Sequence, residues 1–124
     1  HSKHVAWTVR ENTPDIASPL LSNHLLYFYK GKSGLLTCLD AKTGKPYYSA
    51  ARVEGINNTY ASPVAAGGYV YLTDRDGTIT VIRDAEQLEI VSVNRLNEPV
   101  DATPAIVSGK ILIRSENHLI AIGE

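Results

Sequence analysis

Cysteine is nearly absent from this chain of 124 residues, charge is balanced, and long apolar runs are missing. Because Cys38 has no partner, no disulfide can form within the chain, and disulfide usage does not indicate a compartment. The absence of about 18 consecutive apolar residues excludes a membrane-spanning helix. The net charge is −1, with 12 Lys and Arg against 13 Asp and Glu. This balance argues against binding nucleic acid or anionic lipid through a broad charged patch.

Motifs of the common catalytic and metal sites are missing as well. No Gly-x-Ser-x-Gly elbow or His-Glu-x-x-His is present, and residues 43–46 fail as a phosphate loop because Lys45 precedes proline. Residues 74–77 resemble part of a calcium loop but lack the bidentate Glu that completes it. His24 and His118 are predicted in turns at opposite ends of the strands, so the two side chains cannot share a metal or a catalytic site within one unit. We therefore predict no catalytic, cofactor-binding or metal-ligating residue.

A unit of about 40 to 45 residues recurs three times. Each copy begins with a small hydroxyl residue and proline, followed by an apolar run, a tight turn and a second apolar run. The three pairs are Ser18-Pro19, Ser62-Pro63 and Thr103-Pro104. A period of this length built from several short strands is typical of β-propeller blades. We predict an all-β fold, a β-propeller arc of about three four-stranded antiparallel blades.

Turn residues divide each unit into strands A to D, joined by loops of hairpin length that make neighbours antiparallel. The predicted strands are residues 17–22, 25–30, 35–40 and 46–53, then 61–65, 69–74, 78–83 and 88–94, then 103–107, 110–115 and 118–123. Residues 4–9, which contain Trp7, are predicted to form an outer strand that precedes the first strand A.

These elements predict a single partial propeller over residues 1–124. Its parts are an outer strand of a preceding or split blade at 1–10, blades at 15–53 and 60–95, and an incomplete three-stranded blade at 101–124. A closed ring needs four or more blades. We therefore expect either a piece of a longer protein or a ring closed by further copies of the chain.

Residues 34–45 read Gly-Leu-Leu-Thr-Cys-Leu-Asp-Ala-Lys-Thr-Gly-Lys and precede Tyr47 and Tyr48. This stretch resembles the pyrroloquinoline-quinone-like (PQQ-like) β-propeller repeat, in which an Asp-Ala-x-Thr-Gly-Lys turn joins strand C to a strand D that carries Trp. Asp40 is predicted to accept hydrogen bonds from main-chain N–H groups two or three residues on, and Gly44 to supply a positive φ.

The second copy of this turn begins at Asp84 and lacks the glycine, so we predict a different conformation there. The positions that match the repeat across the chain are Trp7, Pro19, Asp40, Gly44, Tyr47, Pro63, Gly77, Asp84 and Pro104.

The resemblance implies one of two functions. Some family members are quinoprotein dehydrogenases that hold the quinone with a calcium ion, and others are non-enzymatic scaffolds of the bacterial outer-membrane assembly machinery. Cys38 cannot supply the vicinal cysteine pair of some of the enzymes. We therefore expect a non-catalytic binding or scaffold module in the periplasm or outside a bacterial cell, with a protein or further copies of itself as partner. The alternative is the C-terminal part of a PQQ-dependent quinoprotein oxidoreductase that binds PQQ and calcium.

The turns between strands B and C and the connections from strand D to the next strand A emerge at the same end of the blades. We call this surface the loop face and predict that it binds the partner, since loops carry function more often than strands do. The alternative interpretation is solvated turns whose polar residues serve only the hairpins. The candidate binding residues are Lys32, Asp74, Arg75, Asp76, Asn97, Glu116, Asn117 and His118.

Overall fold

The computed structural model describes residues 7–15, 17–107 and 110–122. Within these ranges the secondary structure consists of short strands and turns, with no helix. The strands are β1 Leu20–Ser22, β2 Leu25–Tyr29, β3 Leu36–Asp40, β4 Pro46–Ala51, β5 Val64–Ala66, β6 Tyr69–Thr73, β7 Thr78–Arg83, β8 Ile90–Arg95, β9 Ala105–Val107, β10 Lys110–Arg114 and β11 Leu119–Ile122. It follows that the described ranges contain no helix long and apolar enough to cross a membrane.

The strands form three antiparallel sheets, which we call the first, second and third blades. Their strand orders are β1-β2-β3-β4, β5-β6-β7-β8 and β9-β10-β11. Each of these strands overlaps the range predicted for it, but β1, β5 and β9 begin two or three residues later than predicted. Strands β3 and β7, which have a neighbour on each side, are buried along nearly their whole length, whereas β8 at a sheet edge is mostly exposed. The all-β propeller architecture predicted from the repeat is confirmed.

The predicted outer strand at residues 4–9 falls partly outside the described residues, which begin at Trp7. Residues 7–10 form no strand. Instead, the indole Nε1 of Trp7 donates a hydrogen bond of 2.8 Å to the carbonyl oxygen of Ala41. The ring also lies where a Cβ on Gly44 would approach it to 2.8 Å. This segment therefore packs against the turn between β3 and β4, and the indole donor is satisfied there.

Apolar clusters between neighbouring blades form the core. Fully burying a side chain of this kind contributes about 1.5–3 kcal/mol, so the blade junctions supply much of the hydrophobic stabilisation. The cluster between the first two blades includes Tyr27, Leu36, Cys38, Val70, Leu72 and Ile82. The cluster between the second and third includes Ile79, Val100, Ile111 and Ile113. Burial raises the pKa of the Cys38 thiol to about 11, so it is protonated at neutral pH.

The repeated hydroxyl residues connect the blades along their inner strands. The main-chain N–H of Ser18 donates to the hydroxyl of Ser62 at 2.7 Å. In the same way, the N–H of Ser62 donates to the hydroxyl of Thr103 at 2.8 Å. Each hydroxyl thus satisfies the corresponding N–H of the preceding unit. This explains why a small hydroxyl residue recurs before proline.

Candidate functional site

Main-chain hydrogen bonds join the turns and connections of the loop face into one surface. Because both partners are main-chain groups, these bonds do not depend on side-chain identity. From the first blade to the third, the bonds are Gly31 N to Thr13 O at 2.6 Å, Thr59 N to Lys32 O at 2.8 Å, Arg75 N to Asn58 O at 3.0 Å, Val100 N to Arg75 O at 2.9 Å and Glu116 N to Pro99 O at 3.0 Å. The connection between β4 and β5 is held by a turn on each side.

Asp74 lies beneath the loop face, since only 4% of its surface is exposed. Its Oδ1 accepts hydrogen bonds from the main-chain N–H groups of Asn57 and Asn58, both at 2.7 Å. Its Oδ2 accepts one from Asp76 N at 3.1 Å. A buried carboxylate surrounded by N–H donors fixes a loop and has little capacity left for a ligand.

Asp76 serves its own hairpin through its carboxylate, which accepts a hydrogen bond from Thr78 N at 2.8 Å. Asp76 therefore has the turn-stabilising role of the alternative interpretation, whereas Asp74 also fixes the connection between β4 and β5.

Tyr60, in the connection between β4 and β5, brings two of the predicted residues together. The Arg75 guanidinium lies 4.0 Å from the centre of the Tyr60 ring, and the Lys32 ammonium lies 5.6 Å from it. Arg75 also binds Asp101 through two hydrogen bonds, Nε to Oδ1 at 2.7 Å and Nη2 to Oδ2 at 3.3 Å. We call these four residues the Tyr60 cluster. Sequence reasoning missed Tyr60, although it is the single aromatic residue between β4 and β5.

Glu98 organises the third B–C turn. Its Oε1 accepts hydrogen bonds from the Ser115 hydroxyl at 2.9 Å and from Asn117 N at 3.0 Å. His118 Nδ1 pairs with the other carboxylate oxygen. Desolvation alone would raise the pKa of Glu98, but these hydrogen bonds and His118 hold the pKa below its usual range. His118 and the main chain of Asn117 are thereby fixed in place.

The remaining predicted residues, Asn97 and Glu116, are exposed on the loop face. Asn97 has φ 63°, in the left-handed region that asparagine tolerates better than most residues. Two open clefts border the third turn. One of about 380 Å³ is lined by Pro99, Asp101, Ala102, Arg114, Ser115 and Glu116. The other, of about 320 Å³, is lined by Arg114, Ser115, Glu116, Asn117, His118 and Leu119.

The opposite face, made by the A–B and C–D turns, is organised differently. In the first C–D turn, Asp40 Oδ1 accepts hydrogen bonds from Lys42 N at 2.8 Å and Thr43 N at 3.1 Å. Gly44 has φ 78°. These hydrogen bonds and this φ are the arrangement that the sequence predicted for the turn.

The second C–D turn, which lacks the glycine, uses its aspartate to contact the first blade. Asp84 accepts hydrogen bonds from the Ser22 hydroxyl and, at 2.8 Å, from the Tyr27 hydroxyl. His24 Nε2 lies 3.0 Å from Glu86 Oε2 in the same contact. An open crevice of about 550 Å³ lies between these turns.

The resemblance implies a quinone and a calcium ion for the enzymes of the family. Within the described ranges, no three His, Cys, Asp or Glu side chains are grouped so as to hold a metal ion. Cys38 is the chain's single cysteine, and it is buried in the sheet. Trp7, the single tryptophan, is bound to the first C–D turn through its indole nitrogen. We derive no redox chemistry from these side chains.

Comparison with known proteins agrees with this architecture. The chain is similar to the crystal structure of BamB from Moraxella catarrhalis, with a TM-score of 0.58 and 14% identity over 85% of this chain and 42% of that one. It is also similar to the quinohemoprotein alcohol dehydrogenase ADHIIG from Pseudomonas putida HK5, with a TM-score of 0.64 and 18% identity over 85% of this chain and 17% of that one. At these identities the likeness shows the fold alone.

The chain spans less than half the length of either structure. No curated protein sequence matches it. The family model described as outer membrane protein assembly factor BamB matches residues 2–91, more than half of the chain. The chain therefore belongs to this family of PQQ-like β-propeller repeats.

Proposed function

We propose that the chain is a non-catalytic binding or scaffold module that presents its loop face to a protein partner. The observation that carries the proposal is the series of main-chain hydrogen bonds that joins the turns and connections of three blades. A surface that is already ordered loses less conformational entropy on binding than a flexible one. Because the main chain holds this surface, its exposed side chains are available for contacts with a partner.

The family description supports a protein partner, because it names an assembly factor for outer membrane proteins. On the same ground we place the protein in the bacterial periplasm or outside the cell. We propose no cofactor for this function.

Strand edges offer a second way to bind a protein partner or another copy of the chain. An extended segment can add to an exposed edge through main-chain hydrogen bonds. The edge strand β8 exposes Ile90 by 39% and Val91 by 44%. The edge strand β4 is less suitable, because Pro46 lacks an N–H donor and Ala50, at φ 48°, interrupts the regular strand. Of these two edge strands, we therefore propose β8 for edge binding.

The alternative function is the C-terminal part of a PQQ-dependent quinoprotein oxidoreductase. The structural likeness to a quinohemoprotein alcohol dehydrogenase favours it as the second candidate. Under this alternative the protein binds PQQ and calcium and oxidises an alcohol or a sugar in a dye-coupled assay. Titration with PQQ and calcium of the full-length oxidoreductase that this alternative implies distinguishes the two functions. Saturable binding with dye reduction would contradict the scaffold proposal. We expect neither binding nor turnover.

Capture of partners from a bacterial envelope extract tests the loop face. The test variant combines Lys32→Ala, Glu116→Ala and Asn117→Ala, three exposed positions whose side chains can be shortened without disturbing the main-chain bonds. We expect this variant to capture at least tenfold less of each protein that the wild type captures.

The matched control combines Lys42→Ala, Lys45→Ala and Gln87→Ala on the opposite face, all exposed. It should capture the same proteins as the wild type. Equal loss from both variants, or from the control alone, would contradict the proposal. Circular dichroism and the unfolding temperature of each variant show whether it is folded.

A further inference from the structure

We infer that the Tyr60 cluster receives an acidic segment of a protein partner, with Lys32 as the main contact. This inference rests on the proposed function, because it names the partner chemistry of the same loop face. It follows from the difference between the two cations that share the Tyr60 ring.

Arg75 has its charge compensated within the protein. Its guanidinium is stacked on Tyr60 and bound through two nitrogens to Asp101. The main chain of Arg75 is bound on both sides, as donor to Asn58 O and acceptor from Val100 N. A bidentate arginine held in this way has little freedom to reorient toward a partner. Arg75 therefore positions Tyr60 and is not the main contact.

Lys32 is in the opposite situation. Its main-chain carbonyl is fixed by Thr59 N, and its ammonium lies over the Tyr60 ring, yet among the described residues no carboxylate forms an ion pair with it. Lys30, in the same turn, has no ion pair within the described ranges either. The Asp15 carboxylate lies beside Gly31, the residue between the two lysines in sequence. It forms no ion pair with either lysine.

A cation held over an aromatic ring has lost part of its rotamer freedom before a partner arrives. A carboxylate that reaches Lys32 therefore gains an ion pair at a smaller entropic cost than at a freely moving surface lysine. Tyrosine is also enriched among the residues that dominate binding energy in protein interfaces. The geometry favours an anionic side chain, Glu or Asp, in the bound segment.

The third blade is a less suitable position for the same contact. Arg114 borders the cleft of about 380 Å³ and forms no ion pair with another described residue. Glu116 borders the same cleft, and its like charge would repel an acidic segment there. The acidic contact is therefore centred on Lys32. Nucleic acid is the less favourable polyanion for this surface, because the net charge of −1 gives no broad positive field.

Fluorescence anisotropy with labelled peptides tests the inference. The probe is a fluorescein-labelled Glu-Gly repeat peptide, compared with Gln-Gly and Lys-Gly peptides of the same length at low ionic strength. We expect saturable binding of the Glu peptide alone. Lys32→Ala should weaken this binding about fivefold, and Lys32→Glu should abolish it and create binding of the Lys peptide. Lys42→Ala, on the opposite face, should leave the affinity unchanged.

Tyr60 provides an independent measurement. Tyr60→Phe, which keeps the ring, should bind the Glu peptide as the wild type does, and Tyr60→Ala should weaken it about threefold with unchanged circular dichroism. Equal binding of the Gln peptide, no effect of Lys32→Glu, or equally tight binding of a thymidine oligonucleotide would overturn the inference. If the envelope partners still depend on the loop face while the Glu peptide does not bind, the proposed function stands and only the acidic chemistry is wrong.

Discussion

The loop face and the opposite face of the blades are held together by different kinds of hydrogen bond. On the loop face, a series of main-chain hydrogen bonds such as Thr59 N to Lys32 O joins the turns to the connections, and the carboxylates of Asp74 and Glu98 add further bonds to it. On the opposite face, the contact between the first two blades is made by side chains, with Ser22 and Tyr27 donating to Asp84. Exposed side chains such as Lys32 can therefore vary on the loop face without loss of these main-chain bonds, whereas Ser22, Tyr27 and Asp84 themselves make the contact of the opposite face.

The largest effect should come from Gly77, where the loop face is most tightly packed. It has φ 94°, and a Cβ there would lie 2.1 Å from the carbonyl oxygen of Glu98. Since that atom belongs to the main chain, Gly77→Ala must displace the connection and should destabilise the protein by about 3–5 kcal/mol. The measurement is urea unfolding followed by circular dichroism.

Gly67, in the A–B turn of the second blade, is the matched control. It also has a positive φ, 60°, but a Cβ there would meet nothing within 4 Å. Gly67→Ala should cost about 1 kcal/mol, from backbone strain alone. Equal decreases in the free energy of unfolding for the two variants would show that the close approach of Gly77 to Glu98 does not matter for stability.

A somewhat smaller effect is expected at Asp74. Asp74→Ala leaves the N–H groups of Asn57, Asn58 and Asp76 without their acceptor, which should destabilise the protein by about 3 kcal/mol. It should also speed amide exchange in residues 57–59, measured by mass spectrometry. Asp40→Ala, in the exposed first C–D turn, is the comparison and should cost about 1 kcal/mol. A smaller loss at Asp74 than at Asp40 would contradict the account.

The side-chain contact of the opposite face should contribute less. Asp84→Ala removes the acceptor of the Ser22 and Tyr27 hydroxyls and should cost about 1–2 kcal/mol. Tyr27→Phe removes one of the two donors, so its cost should be smaller, and in the Asp84→Ala background it should be close to zero. Additive costs in this double-mutant cycle, measured by urea unfolding, would show that the two residues do not interact.

The smallest effect that we expect is a change in the pH dependence of stability at acidic pH. The pKa of Glu98 is lower in the folded protein than its ordinary value of 4.5, so ionised Glu98 contributes stability above that pH. This contribution is lost as the pH falls below 4.5 and through the lowered folded pKa. Glu98→Gln should therefore show a smaller decrease in unfolding temperature over this interval than the wild type. Parallel curves for the two proteins would contradict this assignment.

The sequence predicted the strands well because the signals that bound them are local. Asp40 and Gly44 form their turn from residues within one hairpin, and this turn could be read directly from the repeat. Asp74 also looks like a local turn residue, but the connection at 57–58 buries it, and that contact depends on how neighbouring blades pack.

The Tyr60 cluster could not be predicted for the same reason. Tyr60, Lys32, Arg75 and Asp101 come from two turns and two connections, and only the packing of three blades brings them together. The role of the hydroxyl before each proline could not be predicted either, since its hydrogen-bond partner lies one whole repeat unit away. Contacts within a hairpin were thus predictable, and contacts between units were not.

Site-specific photo-crosslinking tests the central claim most directly. A photoreactive amino acid is placed at position 116 on the loop face or at position 42 on the opposite face, and each protein is irradiated in a bacterial envelope extract. Position 116 is exposed and leaves Lys32 intact. The account predicts a discrete crosslinked protein from position 116 and none from position 42. Crosslinks from position 42 alone, or the same products from both positions, would contradict the assignment of partner binding to the loop face.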